Sequence, residues 1–247
     1  MLRARVLALG LSCMGIARAT LAQGGPPLET DDPGTTGPGH LELNLSIEAE
    51  REGAGTSYDA PRLDANLGVG TRFQLKLEVP WRVVAAPRSR SRTGFGNVVA
   101  GVKWRFAQTG TVALSTYPQV TFGGSERAGL EGVADTGTTL LMPVEFAWHS
   151  GPIALNAEAG YQRDERRSEL VYGLALGREL GSSLELLAEC HGSGDADLDE
   201  QGILCGAGAR WNLEDRVGVL AAYAIGVAGS AATRPDRRWY TGAQLRW

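Results

Sequence analysis

The chain has three histidines and three cysteines, with neither the C-x2-C nor the H-x3-H spacing that holds zinc. His40, His149 and His191 fall on polar strand faces, with no serine beside any of them on an apolar face. A lipid-cleaving membrane enzyme needs both residues facing its substrate, so acyl-transfer machinery is missing. The acidic run Asp195-Ala196-Asp197-Leu198-Asp199-Glu200 echoes the start of a calcium loop. It lacks glycine at the sixth position and has Gly206 where the twelfth-position glutamate belongs. No catalytic residue, metal or cofactor is assigned. The chemistry the chain has in quantity is paired charge.

That charge sits on one face of a repeating element. From His40 the sequence HLELNLSIEAE places Leu41, Leu43, Leu45, Ile47 and Ala49 on one side and polar residues on the other, the alternation of a β-strand. The same template recurs in twelve segments: 40–50, 58–69, 73–83, 97–106, 111–122, 139–149, 152–162, 169–178, 183–191, 202–211, 217–226 and 237–247. Their apolar faces comprise 58 alternating positions and none is charged. A soluble sandwich or lipocalin-like barrel also alternates, but has no reason to keep that whole face free of charge.

Short turns such as Ser150-Gly151 and Leu213-Glu214-Asp215 alternate with longer charged loops such as 84–96, 123–138 and 192–201. Phe73, Trp104, Phe106, Trp148, Trp211 and Trp247 fall at short-turn ends; Tyr58, Trp81, Phe122, Tyr161 and Trp239 fall at long-loop ends. These are two aromatic girdles. The expectation is an all-β protein: a 12-stranded antiparallel transmembrane β-barrel of the outer-membrane type. Val217 to Ala232 is charge-free but carries Gly218, Gly226 and Gly229, and reads as strand eleven plus a small-residue loop.

The ends fit this reading. Arg3 and Arg5 precede an apolar run over 6–16, and Thr20-Leu21-Ala22 offers a cleavage site, so residues 1–22 read as a signal peptide. Cys13 lies in a poor lipidation motif with Gly10 at its start. Residues 23–39 hold four prolines and five glycines and read as a periplasmic leader; residues 40–247 form the barrel. Glycine, 34 of 247 residues, suits a turn-rich chain, and removal of residues 1–22 takes the net charge from −4 to −7. Acidic balance excludes a nucleic-acid binder. The terminal Tyr240, Gly242, Leu245 and Trp247 resemble the assembly signal of bacterial outer-membrane barrels, which implies the barrel-assembly machinery as a partner.

Inside such a barrel the charges are unevenly spread. Glu145, Glu158, Glu185 and Glu189 make an acidic wall, while Arg62, Lys76, Arg82, Lys103 and Arg105 make a basic one. Strand eight offers Val171, Gly173 and Ala175 at matching positions, leaving volume beside the acids. Two readings stand together: opposed walls that orient a solute in an aqueous lumen, or charges that neutralise one another in a polar plug. Cys190 and Cys205 share the apolar face of adjacent strands, as a disulfide or as two small lipid-facing side chains. Arg88, Arg90 and Arg92 read either as a solvated loop or as partners for lipopolysaccharide phosphates, and outer-membrane lipid is an expected partner. Asp31-Asp32 is turn chemistry before Pro33, at the point where a periplasmic plug would begin.

PLETDDPGTTGPGHLELNLS (27–46), RFQLKLEVPWRVV (72–84) and GFGNVVAGVKWRF (94–106) resemble the outer-membrane barrel family named for the meta-pathway of phenol degradation. The resemblance is strongest over 27–106 and implies a transporter of small, aromatic or hydrophobic compounds. The expected function is passive passage of a small solute across an outer membrane. The alternatives are a structural barrel with a closed polar lumen and, less favoured, an outer-membrane enzyme.

Overall fold

The computed structural model describes residues 25–53, 55–85, 90–165, 167–195, 201–229 and 235–247. Residues 1–22, read above as a signal peptide, Cys13, Arg88, the acidic run from Ala196 to Glu200 and the end of the charge-free stretch at Ala232 lie outside these residues.

The strands are β1 (Leu41–Glu52), β2 (Gly55–Val69), β3 (Phe73–Ala85), β4 (Arg92–Phe95, continued by Val99–Gln108) and β5 (Val112–Thr116, continued by Gln119–Thr121). A short helix α1 (Glu126–Glu131) follows, then β6 (Thr139–Ser150), β7 (Ile153–Arg163), β8 (Ser168–Leu180), β9 (Leu184–Gly194), β10 (Gln201–Glu214), β11 (Val217–Ala228) and β12 (Arg237–Arg246). Sequence neighbours pair antiparallel, and β12 pairs with β1 from Arg51↔Arg237 to Glu42↔Arg246. The result is a closed 12-stranded barrel with no free edge. Gly242 lies on this seam under the Tyr240 ring, and Trp247 exchanges both backbone hydrogen bonds with Leu41.

The burial pattern is inverted relative to a soluble protein. Leu45, Ile47, Leu77, Val144, Leu174 and Ile225 are exposed on the outside, whereas Asn44, Glu48, Asp64, Lys103, Glu145 and Arg210 are buried inside. This is the arrangement expected when lipid, not the lumen, is the apolar solvent.

Some boundaries differ from the sequence reading. β1 and β2 run on to Glu52 and Gly55, so their long-loop connection is a tight one, and β10 extends to Glu214. β4 carries one extra residue between its pairings Trp81↔Phe95 and Glu78↔Val99, a bulge at Gly96–Val98. β5 is interrupted at Tyr117–Pro118, where proline has no N–H to give the ladder. The loop after β5 folds into α1, capped by the Ser125 hydroxyl and closed by Gly132 in the left-handed conformation.

Cys190 and Cys205 stand opposite each other on β9 and β10 and are disulfide-bonded. The bridge closes a separation of 15 residues, for which the chain-entropy picture gives about 3 kcal/mol. Unreduced protein should yield a peptide joining both cysteines, and reduction should lower the temperature at which the folded band is lost on a detergent gel. Free thiols on both would contradict the bond.

Candidate functional site

The site is the lumen, and the leader occupies it. Residues 25–30 form a tight turn in which Gly25 N–H donates to the Thr30 carbonyl and Leu28 N–H to the Gly25 carbonyl, each at 2.9 Å. The chain reaches its furthest point at Glu29, then returns past Thr36 to β1. Both flanks lie toward the short-turn end: Arg210, paired with Glu185 near the β8–β9 turn, donates to the Pro26 carbonyl at 2.8 Å. On the other flank Thr36 N–H donates to Gln74 Oε1 at 3.0 Å.

A loop with unpaired backbone amides needs acceptors, and the acidic wall supplies them. The Glu189 carboxylate accepts from Glu29 N–H at 2.9 Å and Thr30 N–H at 2.7 Å. Glu158 accepts from Asp31 N–H at 2.9 Å. Opposite them, Lys103 Nζ donates to Asp31 Oδ1 at 2.9 Å and to the Asp32 carbonyl. Arg238 pairs with Glu29 at the apex, and with Glu48 at 2.5 Å.

Shape agrees with charge. Small residues on β8, β10 and β11 leave a recess, and Leu28 fills it against Ala175 and Leu187. Gly173 sits directly behind Thr30, where a Cβ would lie 2.2 Å from the hydroxyl. Gly68 lets the leader leave the lumen, since a Cβ there would come within 1.7 Å of the Gly37 carbonyl oxygen. Cavities of about 40 and 10 Å³ remain beside the leader. Both are far too small for an organic solute.

The picture of opposed charged walls across open water is therefore replaced by pairing. Glu145 meets Lys103 at 3.5 Å because only β5 separates their strands. Arg62 bridges Glu48 and Glu78, the latter at 2.8 Å. Lys76 lies 3.4 Å from Glu78. Arg82 binds Asp59 through two hydrogen bonds of 2.8 and 2.7 Å. Arg105 donates to the Thr71 carbonyl at the short-turn rim, away from this network. Tyr117, fully buried, presents its ring to Lys103 at 4.7 Å and Lys76 at 5.9 Å.

At the long-loop end a vestibule of about 450 Å³ lies between Arg82 and the α1 loop, lined by Glu126, Leu130, Ala134 and Asp135. Asn97, within the β4 bulge, ties this loop to the barrel. Its amide donates to the Phe122 and Asp135 carbonyls and accepts from Asp135 N–H, all at 2.8 Å. Val133 packs against Gly94 below it. Neither Asn97 nor Tyr117 stands out in the sequence. The Gly-Phe-Gly-Asn spacing around Asn97 was the available signal, visible only as a motif.

No family profile and no curated protein sequence matches the chain. Among solved structures, it is similar to the COG4313 outer membrane channel from Pseudomonas putida F1. The TM-score is 0.71 at 10% identity, over 87% of this chain and 99% of that one. It is also similar to the KdgM porin (TM-score 0.61, 9% identity, 83% and 98% covered) and the NanC porin (TM-score 0.61, 9% identity, 82% and 98% covered). At these identities the likeness is one of fold: the chain has the closed 12-stranded antiparallel barrel that matches the folds of these outer-membrane porins.

Proposed function

We propose that the protein is an outer-membrane channel for a small solute, closed at rest by its own leader, with the long loops outside the cell and the short turns in the periplasm. The observation that carries this reading is the grip of Glu189, Glu158 and Lys103 on residues 29–32, through four backbone atoms and the Asp31 carboxylate. Those contacts bind a removable segment and not another strand, so water can replace every one of them without breaking the wall. The vestibule, with Leu130 and Ala134 beside Arg82 and Asp135, suits a compact solute with an apolar body and a polar head. The resemblance of 27–46 and 94–106 to the phenol meta-pathway family supports an aromatic or hydrophobic one. Assembly would run through the barrel-insertion machinery reading Tyr240, Gly242, Leu245 and Trp247.

The test is conductance in planar bilayers. The full chain should give rare or no openings, and a chain lacking residues 25–36 should give steady ones. A folded deletion variant that stays silent would favour the sealed structural barrel, for which the density of ion pairs in the lumen is the supporting observation.

A further inference from the structure

We propose that Arg51 and Arg237 form a phosphate clamp for lipopolysaccharide on the outer wall of the barrel. The two residues face each other directly across the β1–β12 seam. Both share the outward parity of Ile47, Ala49 and Trp239, and both are exposed. Like charges opposed in an antiparallel pair repel, because their Cβ atoms lie only about 5 Å apart. Among the described residues neither guanidinium has a hydrogen bond or a carboxylate partner. The contrast with their neighbour is sharp: Arg238, pointing inward, takes Glu29, Glu48 and Glu50. Two outward guanidiniums with no counter-ion among the described residues match an anion with several acceptor oxygens, and their fork geometry suits a phosphomonoester.

The row beneath the pair says what carries that phosphate. Ala49 lies between Tyr58 on β2 and Trp239 on β12. Tyr223 on β11 packs on Trp239 with ring centroids 5.5 Å apart. These rings are exposed on the outer wall, so the small side chain of Ala49 leaves a notch between two aromatics. Tyrosine and tryptophan mark the level where acyl chains give way to headgroups. The arginines lie one row beyond that level, toward the long loops. An acyl chain runs down the notch while the headgroup phosphate sits between the guanidiniums. The clamp is also held in place: Asp236 N–H donates to the Arg51 carbonyl at 2.7 Å, and Asp236 Oδ2 accepts from Gly53 N–H at 3.1 Å. The ligand is the lipid A phosphate of the outer leaflet. This rests on the outer-membrane orientation proposed above but not on the channel being open or closed.

Native mass spectrometry of the detergent-purified full chain tests the clamp, with bisphosphorylated lipid A, dephosphorylated lipid A and inorganic phosphate as probes. Wild-type protein should retain one bisphosphorylated lipid A. The Arg51→Gln/Arg237→Gln variant should bind it at least about tenfold more weakly, as loss of two charge-assisted contacts implies. Dephosphorylated lipid A should bind wild type as weakly, and inorganic phosphate should not displace the lipid. An Arg178→Gln/Arg216→Gln variant, equally reduced in charge but at the exposed short-turn end, should bind like wild type. Heat-dependent gel migration verifies that each variant is folded, and bilayer conductance should match wild type because the pair is outside the lumen. Equal affinity of the Arg51→Gln/Arg237→Gln variant and wild type would overturn the clamp. So would an equal loss in the Arg178→Gln/Arg216→Gln variant, or displacement by inorganic phosphate.

Discussion

Replacing Gly173 by valine is expected to raise conductance to the level of the chain lacking residues 25–36. Gly173 is on the inner face of β8, and a Cβ there would lie 2.2 Å from Thr30 Oγ1, 3.1 Å from Thr30 Cβ and 3.2 Å from Thr30 Cγ2. Rotation of the threonine about Cα–Cβ moves Oγ1 and Cγ2 but leaves the Cβ contact in place. Thr30 cannot retreat, because Glu189 and Glu158 hold the backbone amides of residues 29–31. Overfilling a packed site costs about 1–3 kcal/mol. Each amide bond to a carboxylate contributes a comparable amount, so alanine should loosen the leader and valine should expel it. Thr30→Gly in the Gly173→Val background restores the missing space and should close the channel again. Gly173→Val protein that is folded by gel migration yet conducts like wild type would show that the leader is not seated on β8.

The barrel was legible because lipid imposes a simple rule on every second residue. Leu41 to Ala49 and Phe73 to Trp81 obey it without exception, and the structure turns those residues outward. The rule is silent where one residue is inserted, as at Gly96–Val98, and where proline stops a ladder, as at Pro118. It is also silent on what fills the lumen. Polar residues on an inner face read alike whether they meet water, one another or a threaded segment. Gly173 and Ala175 read as empty space, and the segment that fills it begins at residue 25, more than a hundred positions away in the chain. The leader itself has no periodicity, so its insertion has no local signature. Its prolines and glycines announce only that it is neither helix nor strand, and those are the residues a tight re-entrant turn requires. The pairing of Lys103 with Glu145 was hidden for a related reason: strand order places them on different walls until register shows that one intervening strand lets their side chains meet.

That pairing leads to the second large effect, expected for Lys103→Met. Two carboxylates, Glu145 and Asp31, pair with this amine, and a third, Glu158, stands beside Glu145. Glu145 and Glu158 are directly opposed across β6 and β7, and Asp31 approaches from the leader. Lys103 is 2% exposed and Glu145 is 0% exposed, so solvent does not screen the group. Glu145 would keep only the Ser115 hydroxyl. Removing the cation from a buried cluster of this kind costs about 3–5 kcal/mol, most of it from the charges left without a partner. The strands cannot separate to relieve that repulsion, but the leader can withdraw, taking Asp31 away and admitting water to the two glutamates. Lys103→Met should therefore open the channel and expose the leader to added protease while the barrel stays folded. Lys103→Arg should remain closed, since a guanidinium retains both the charge and the donors. Adding Glu145→Gln to Lys103→Met removes one of the stranded charges and should recover at least ~1 kcal/mol of leader binding, read as partial closure. A Lys103→Met channel that stays shut would show that backbone contacts to Glu189 and Glu158 suffice to hold the plug. An open double variant indistinguishable from Lys103→Met would show that Lys103 acts on residues 31 and 32 alone and not by neutralising Glu145.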